Sequence, residues 1–272
     1  MIAVSAVITY ATRDDALQFA IVGDRTGEPV AGVYEQVFRE TAADHPRFVI
    51  TVGDSIQGGS DLTVDSEWRD VVKLLAPFRK VQIFFTPGNH DVWSIRSAQA
   101  YEKYTRRPLH YSFDFGRAHF VVLDNSRSDE LPAEELAFLR KDLELHSKQH
   151  VNFIVSHRPS WVLKAVLRNP EFPLQQIAES HDVHYVIAGH LHEMLHVDLD
   201  GVTYVSVPSA GGHLRASRKY DDGWFFGHVM VTIRGSSADF LIKETGPPFG
   251  QSRVTHLNDW GAAGLRQSKD AR

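Results

Sequence analysis

The chain has 272 residues, 43% of them hydrophobic and 23% charged, an ordinary globular composition with enough length to bury a core unaided. A formal charge of −5 argues against a general nucleic-acid-binding surface, yet bound divalent cations would still let the chain accept anionic substrates. Cysteine is absent, which excludes disulfides, zinc–thiolate sites and thiol nucleophiles, and fifteen histidines make imidazole the obvious nitrogen donor.

The opening MIAVSAVITYATRDD has a short apolar stretch with no basic residue ahead of it. It reads either as a strand or as the remnant of a secretory leader, so localisation stays open between cytoplasmic and exported. No apolar run reaches the length of a membrane span. Residues 18–22 (QFAIV) read as a buried strand ending at Gly23-Asp24. Val30, Val33, Tyr34, Val37 and Thr41 then recur at helical spacing. Residues 48–52 (FVITV) form the next strand and stop at Gly53-Asp54. Trp68, Val71, Val72 and Leu75 mark a second amphipathic helix closed by Pro77. Residues 81–85 (VQIFF) lead into Gly88-Asn89-His90-Asp91.

A hairpin is expected from residues 111–115 and 119–123, turning at Gly116-Arg117. Leu136, Leu139 and Leu143 mark a further helix, with Pro132 suited to its first turn. Residues 151–155 end at Ser156-His157, and residues 183–188 end at Gly189-His190-Leu191-His192. From there the pattern changes to strands at 194–199, 202–207, 225–233 and 238–242, joined by tight turns such as Asp200-Gly201 and Arg234-Gly235. One domain over residues 1–245 is expected, with residues 246–272 as an extended or partly disordered tail. The long turn over residues 208–223 is the best candidate for a functional loop.

Five strand ends thus present Asp, Asn or His, and none presents sulfur. A single Gly-Asp after a strand is most often only a turn. Repeated five times, it is how an α/β sheet delivers donors to one crevice, here those of a two-metal hydrolytic site. Two adjacent ions need a short carboxylate that touches both, and Asp54 is the candidate bridge. Asp24 would hold the first ion and Asn89 the second, with imidazoles from His157, His190 and His192. The His-x-His spacing is expected to put both rings on one side of an extended segment. His90 would donate a proton to the leaving group, with Asp91 accepting its other N–H. The donor set suits two divalent or trivalent ions of manganese, iron or zinc. Arg25 and Arg158 flank predicted ligands and are candidate substrate-binding residues, against a reading as surface charges. His213 and Arg215 on the long turn are weaker candidates, and Trp93 and Trp161 either wall the pocket or pack in the core.

These blocks resemble those of the calcineurin-like metallophosphoesterases over roughly residues 18–207. Asp54, Asn89, His90, Asp91, His157, His190 and His192 match that family's motifs position by position. The resemblance implies an α/β fold, a four-layer αββα sandwich of two mixed β-sheets flanked by helices. It also implies hydrolysis of a small phosphorylated substrate, a monoester or a diester, by a dinuclear-metal-bound hydroxide, with His90 as general acid. One departure stands out: the family's Asp-x-His reads Asp24-Arg25-Thr26, so an imidazole ligand of the first ion is missing. Purple acid phosphatases also lack that His and use a tyrosine three residues after the bridging Asp, where this chain has Gln57, a candidate ligand beside solvent. The alternative reading is a catalytically weakened single-metal or binding protein on the same scaffold, and a nuclease is a third.

Overall fold

A computed structural model describes residues 16–261. The strand-or-leader reading of the first fifteen residues, and the last eleven residues of the expected tail, lie outside the described residues. The chain runs β1 (Leu17–Val22), α1 (Val33–Ala43), β2 (Phe48–Thr51), α2 (Val64–Leu75), β3 (Gln82–Phe84) and α3 (Ile95–Thr105). A hairpin follows, β4 (Tyr111–Phe115) with β5 (Ala118–Val122), then α4 (Ala133–Leu145) and β6 (Val151–Val155). Next come α5 (Val162–Val166), α6 (Pro173–Ser180) and β7 (Val183–Ala188). β8 (Leu195–Leu199) pairs with β9 (Val202–Ser206), and β10 (Gly227–Arg234), β11 (Ser237–Glu244) and β12 (Val254–His256) form a meander.

Two six-stranded sheets result, ordered β12-β11-β10-β1-β2-β3 and β4-β5-β6-β7-β9-β8. Both are mixed: β1, β2 and β3 are parallel while β10 joins β1 antiparallel, and β5, β6, β7 and β9 are parallel while β4 and β8 close the edges antiparallel. Alternate side chains of the inner strands meet between the sheets. Phe19 stacks on Phe48 with centroids 5.0 Å apart and meets Phe120 and Phe153 edge-on at 5.2 and 5.5 Å. Such aromatic pairs add about 0.5–1.5 kcal/mol each beyond the area they bury. On the outer faces, Val37, Phe38, Trp68 and Tyr101 pack α1–α3 onto the first sheet, and Leu139, Leu143 and Ile177 pack α4 and α6 onto the second. This is the αββα sandwich expected from the sequence.

Several local expectations are corrected. Val30 lies outside α1, because Gly32 turns the chain with φ 81° just ahead of it. Val72 is 48% exposed, on the solvent side of α2. Pro132 caps α4 from outside its first turn. α3 begins at a Ser94–Ser97 capping box, a start signal unaccompanied by a strong apolar stripe. The expected tail is part of the sandwich as far as its first fifteen residues: β12 pairs with β11, and Trp260 is fully buried between the sheets. Its indole N–H donates to Thr255 Oγ1 at 2.9 Å, and burial of so large a ring outweighs the Pro- and Gly-rich composition ahead of it. Among the described residues no helix is long and apolar enough to cross a membrane.

Candidate metal centre

The parallel strands carry their blocks to one edge of the sandwich. Asp24 follows β1, Asp54 follows β2, Asn89 follows β3, His157 follows β6, and His190 and His192 follow β7. His157 Nε2 lies 3.0 Å from Asn89 Oδ1, 3.1 Å from His190 Nδ1 and 3.3 Å from Asp54 Oδ2. His192 Nε2 lies 3.2 Å from Asp24 Oδ2. Asp24, Asp54, His157 and His192 are all buried. The His190 N–H donates to Asp24 Oδ2 at 2.9 Å and links the two groups, so all the expected ligands but Gln57 gather at this edge.

Its chemistry fits metal ions. Among the described residues, Asp54 Oδ2 and His192 Nε2 are buried with no hydrogen bond, only the longer contacts to His157 and Asp24, a costly state that a cation would relieve. His157 Nδ1–H donates to Val52 O at 2.8 Å and His192 Nδ1–H to His213 O at 2.7 Å, which leaves each Nε2 lone pair facing the centre. One set would be Asp54, Asn89, His157 and His190; the other would be Asp24, Asp54 and His192. Without a cation the cluster holds protons instead. Burial opposes charge on His157, but the Asp54 carboxylate raises its pKa to about 9. Burial and the adjacent His157 lower His190 to about 4. Metal binding at this centre would thus displace a proton.

A second His/Asp group, Asp114, His119 and His146, has the wrong spacing for an ion. His119 Nδ1 is 2.6 Å from Asp114 Oδ1 and its Nε2 is 2.6 Å from Asp142 Oδ2. Donors held about 2.0–2.2 Å from a common tetrahedral ion stand roughly 3.3 Å apart, so the 2.6 Å pairs are hydrogen bonds. The metal-centre pairs, at 3.0–3.3 Å, are spaced for coordination.

The backbone explains why glycine precedes the ligands. A Cβ on Gly88 would lie 2.2 Å from Asp54 Oδ1, and one on Gly189 would lie 2.3 Å from Asp24 Oδ1. Asp54, His190 and His192 have φ of 54°, 66° and 64°, left-handed values that cost a non-glycine residue about 1 kcal/mol or more. The His-x-His segment is therefore not extended as expected; two left-handed residues aim its rings at the two halves of the centre.

The expected His90–Asp91 hydrogen bond is replaced by two separate roles. Asp91 is fully buried: Oδ1 accepts from the Ser55 and Ile56 N–H groups at 2.8 and 3.1 Å, and Oδ2 from Gly88 N–H at 3.0 Å. It ties the Asp54 loop to the Asn89 loop. Burial and the Asp54 charge push its carboxyl upward, while these backbone donors pull it down. His90 Nδ1–H donates instead to Gln57 O at 2.5 Å, and its backbone N–H donates to Asp54 Oδ1 at 2.9 Å. Sequence reading missed Asn125, whose Oδ1 accepts from the His157 and Arg158 N–H groups at 3.1 and 3.0 Å. Its signal was available: the β5 strand also runs out on Asp124-Asn125.

The remaining candidates divide. Gln57 Oε1 accepts from the Thr26 hydroxyl, so the two positions that depart from the family motifs face each other. Arg25 Nη1 donates to Ser55 O at 3.0 Å, and its guanidinium lies over the Tyr34 ring. Arg158 Nη1 pairs with Asp129 Oδ1 at 2.6 Å. Both candidate substrate-binding arginines thus already have a partner. Trp161 belongs to the outer core of the second sheet, and Trp93 packs beside Gly58 and His90.

A carboxylate and imidazole centre at the strand ends of a four-layer sandwich defines the class of metallophosphoesterases. The chain belongs to the calcineurin-like phosphoesterase family, whose model matches residues 18–194. No curated protein sequence matches it significantly. Among solved structures, it resembles purple acid phosphatase PPD1 from yellow lupin (TM-score 0.68, 16% identity), covering 97% of this chain and 58% of the lupin chain. A dimetal phosphatase from Danio rerio superposes with TM-score 0.60 at 14% identity, over 89% of this chain and 99% of its own. GAP50 of Plasmodium, described as the anchor in the inner membrane complex, gives TM-score 0.60 at 13% identity over 93% and 90%. At such identities these likenesses speak for the fold.

Proposed function

We propose that the chain is a metal-dependent phosphoesterase acting on a small phosphorylated substrate through a dinuclear centre of manganese, iron or zinc. The observation that carries this reading is the pairing of unsatisfied buried donors, Asp54 Oδ2 and His192 Nε2, with His90 held beside them by Asp54 and Gln57. Ions bound there would supply Lewis-acid stabilisation of charge developing on the phosphoryl group and would acidify a water. Asp54 would help hold the ions in both halves of the centre, while its Oδ1 fixes the His90 backbone. With Nδ1–H committed to the Gln57 carbonyl, His90 Nε2 has no hydrogen bond among the described residues. As imidazolium it gives the Nε2 proton to the departing alkoxide and remains as the neutral Nδ1–H tautomer. Asp91 and Asn125 position this machinery without meeting substrate.

The test is a panel of phosphomonoesters and phosphodiesters with the chain stripped of metal and then supplied with manganese, iron or zinc. Metal-restored turnover supports the reading, and no turnover with any ion overturns it. The Thr26–Gln57 hydrogen bond favours one competitor, a single-metal or binding protein, because it stands where the family's additional first-site ligands would be. Such a protein would bind phosphate without hydrolysing any ester.

A further inference from the structure

Building on the phosphoesterase reading, we propose that Arg215 binds the phosphoryl group of the substrate, and that through it the site favours phosphomonoesters over phosphodiesters. The loop between β9 and β10 carries this residue and is pinned to the first half of the centre. Ala210 and Gly212 donate their N–H groups to Asp24 O at 3.0 and 3.1 Å, and His213 donates to Gly27 O at 2.9 Å. The His213 carbonyl accepts from His192 Nδ1 at 2.7 Å. Arg215 follows two residues later. Its guanidinium and the His192 ring both lie near Gly27: a Cβ on Gly27 would be 3.5 Å from His192 Nε2 and 3.8 Å from Arg215 Nη2. The two groups thus flank one glycine, with Nη2 no more than about 7.3 Å from a nitrogen that faces the centre.

The comparison with its neighbours is what singles Arg215 out. Arg25 commits Nη1 to Ser55 O and Arg158 commits Nη1 to the exposed Asp129, so each would have to share its fork with a partner already in place. Arg215 is exposed and has no hydrogen bond or ion pair among the described residues. A guanidinium matches two phosphoryl oxygens at once, and such charge-assisted bonds are the strong ones. A monoester dianion offers three terminal oxygens and two charges; a diester offers two oxygens and one charge. A cation outside the ligand set therefore gains most from the monoester.

The experiment uses the manganese-loaded full chain, Arg215→Ala and Arg215→Lys. Two readouts are taken: the dissociation constant for inorganic phosphate, and kcat/KM on 4-nitrophenyl phosphate against methyl 4-nitrophenyl phosphate, which share a leaving group. Arg215→Ala should weaken phosphate binding and lower monoester kcat/KM by roughly 10–100-fold, the diester by about threefold or less, at unchanged metal content. Arg215→Lys should recover part of both. Unchanged phosphate binding, or equal losses on the two esters, overturns the proposal. If the wild type hydrolyses neither ester, the phosphoesterase reading fails, and the monoester preference fails with it. Phosphate binding that still depends on Arg215 would then sustain only its contact with phosphate.

Discussion

His157 Nε2 stands 3.3 Å from Asp54 Oδ2, a buried oxygen with no hydrogen bond among the described residues. Elsewhere on the same sheet, His119 Nε2 stands 2.6 Å from Asp142 Oδ2. Two buried imidazole–carboxylate pairs thus do different work, and the gap between them separates a place for a cation from a closed ion pair.

On the proposed reading, Asp54 would serve both halves of the centre. Asp54→Asn should lose both ions together, read by elemental analysis after buffer exchange. Retention of one tightly held ion would mean that Asp54 serves a single ion.

The second pair predicts a pH dependence of stability. Burial opposes charge on His119, but Asp114 and Asp142 raise its pKa above 6.5 in the folded chain. A raised folded value favours the fold fully below the unfolded pKa, and that contribution is lost as pH rises through the folded one. Urea unfolding should therefore show wild type losing stability relative to His119→Gln as pH is taken upward from 6.5. Parallel curves for the two proteins would mean that the His119 pKa is the same folded and unfolded.

His90 should matter most where the leaving group needs a proton. His90→Ala is expected to lower turnover of alkyl phosphates by roughly 100-fold or more, and of nitrophenyl phosphates far less, with metal content intact. Equal losses on both would count against proton donation.

Gly88 has no room for a side chain beside Asp54. Gly88→Ala should keep the circular dichroism of the fold while weakening metal binding by roughly 10–100-fold, because it displaces the bridging carboxylate. Wild-type affinity in that variant would show that the Asp54 loop yields freely.

Much of this was legible in the sequence because a strand end is a local event. An apolar run closing on Gly-Asp or Gly-Asn-His-Asp names its donors by number, and Asp24, Asp54, Asn89, His157, His190 and His192 all reach the centre. Other features depend on partners distant in the chain. Nothing local says that Asp91 will take backbone N–H groups from Ser55 and Ile56, or that Arg158 will meet Asp129. The left-handed backbone at His190 and His192 is likewise held by surrounding structure and carries no residue signature. Trp260 reads as tail because the strand ahead of it, β12, is three residues long and set in polar sequence.

The most direct test is metal stoichiometry per chain, measured after reconstitution with manganese, iron or zinc and removal of loosely held ions. The account predicts close to two equivalents, with Asp24, Asp54 and His192 holding the first ion despite Thr26. One equivalent or fewer would contradict it and leave the single-metal binding protein as the better description.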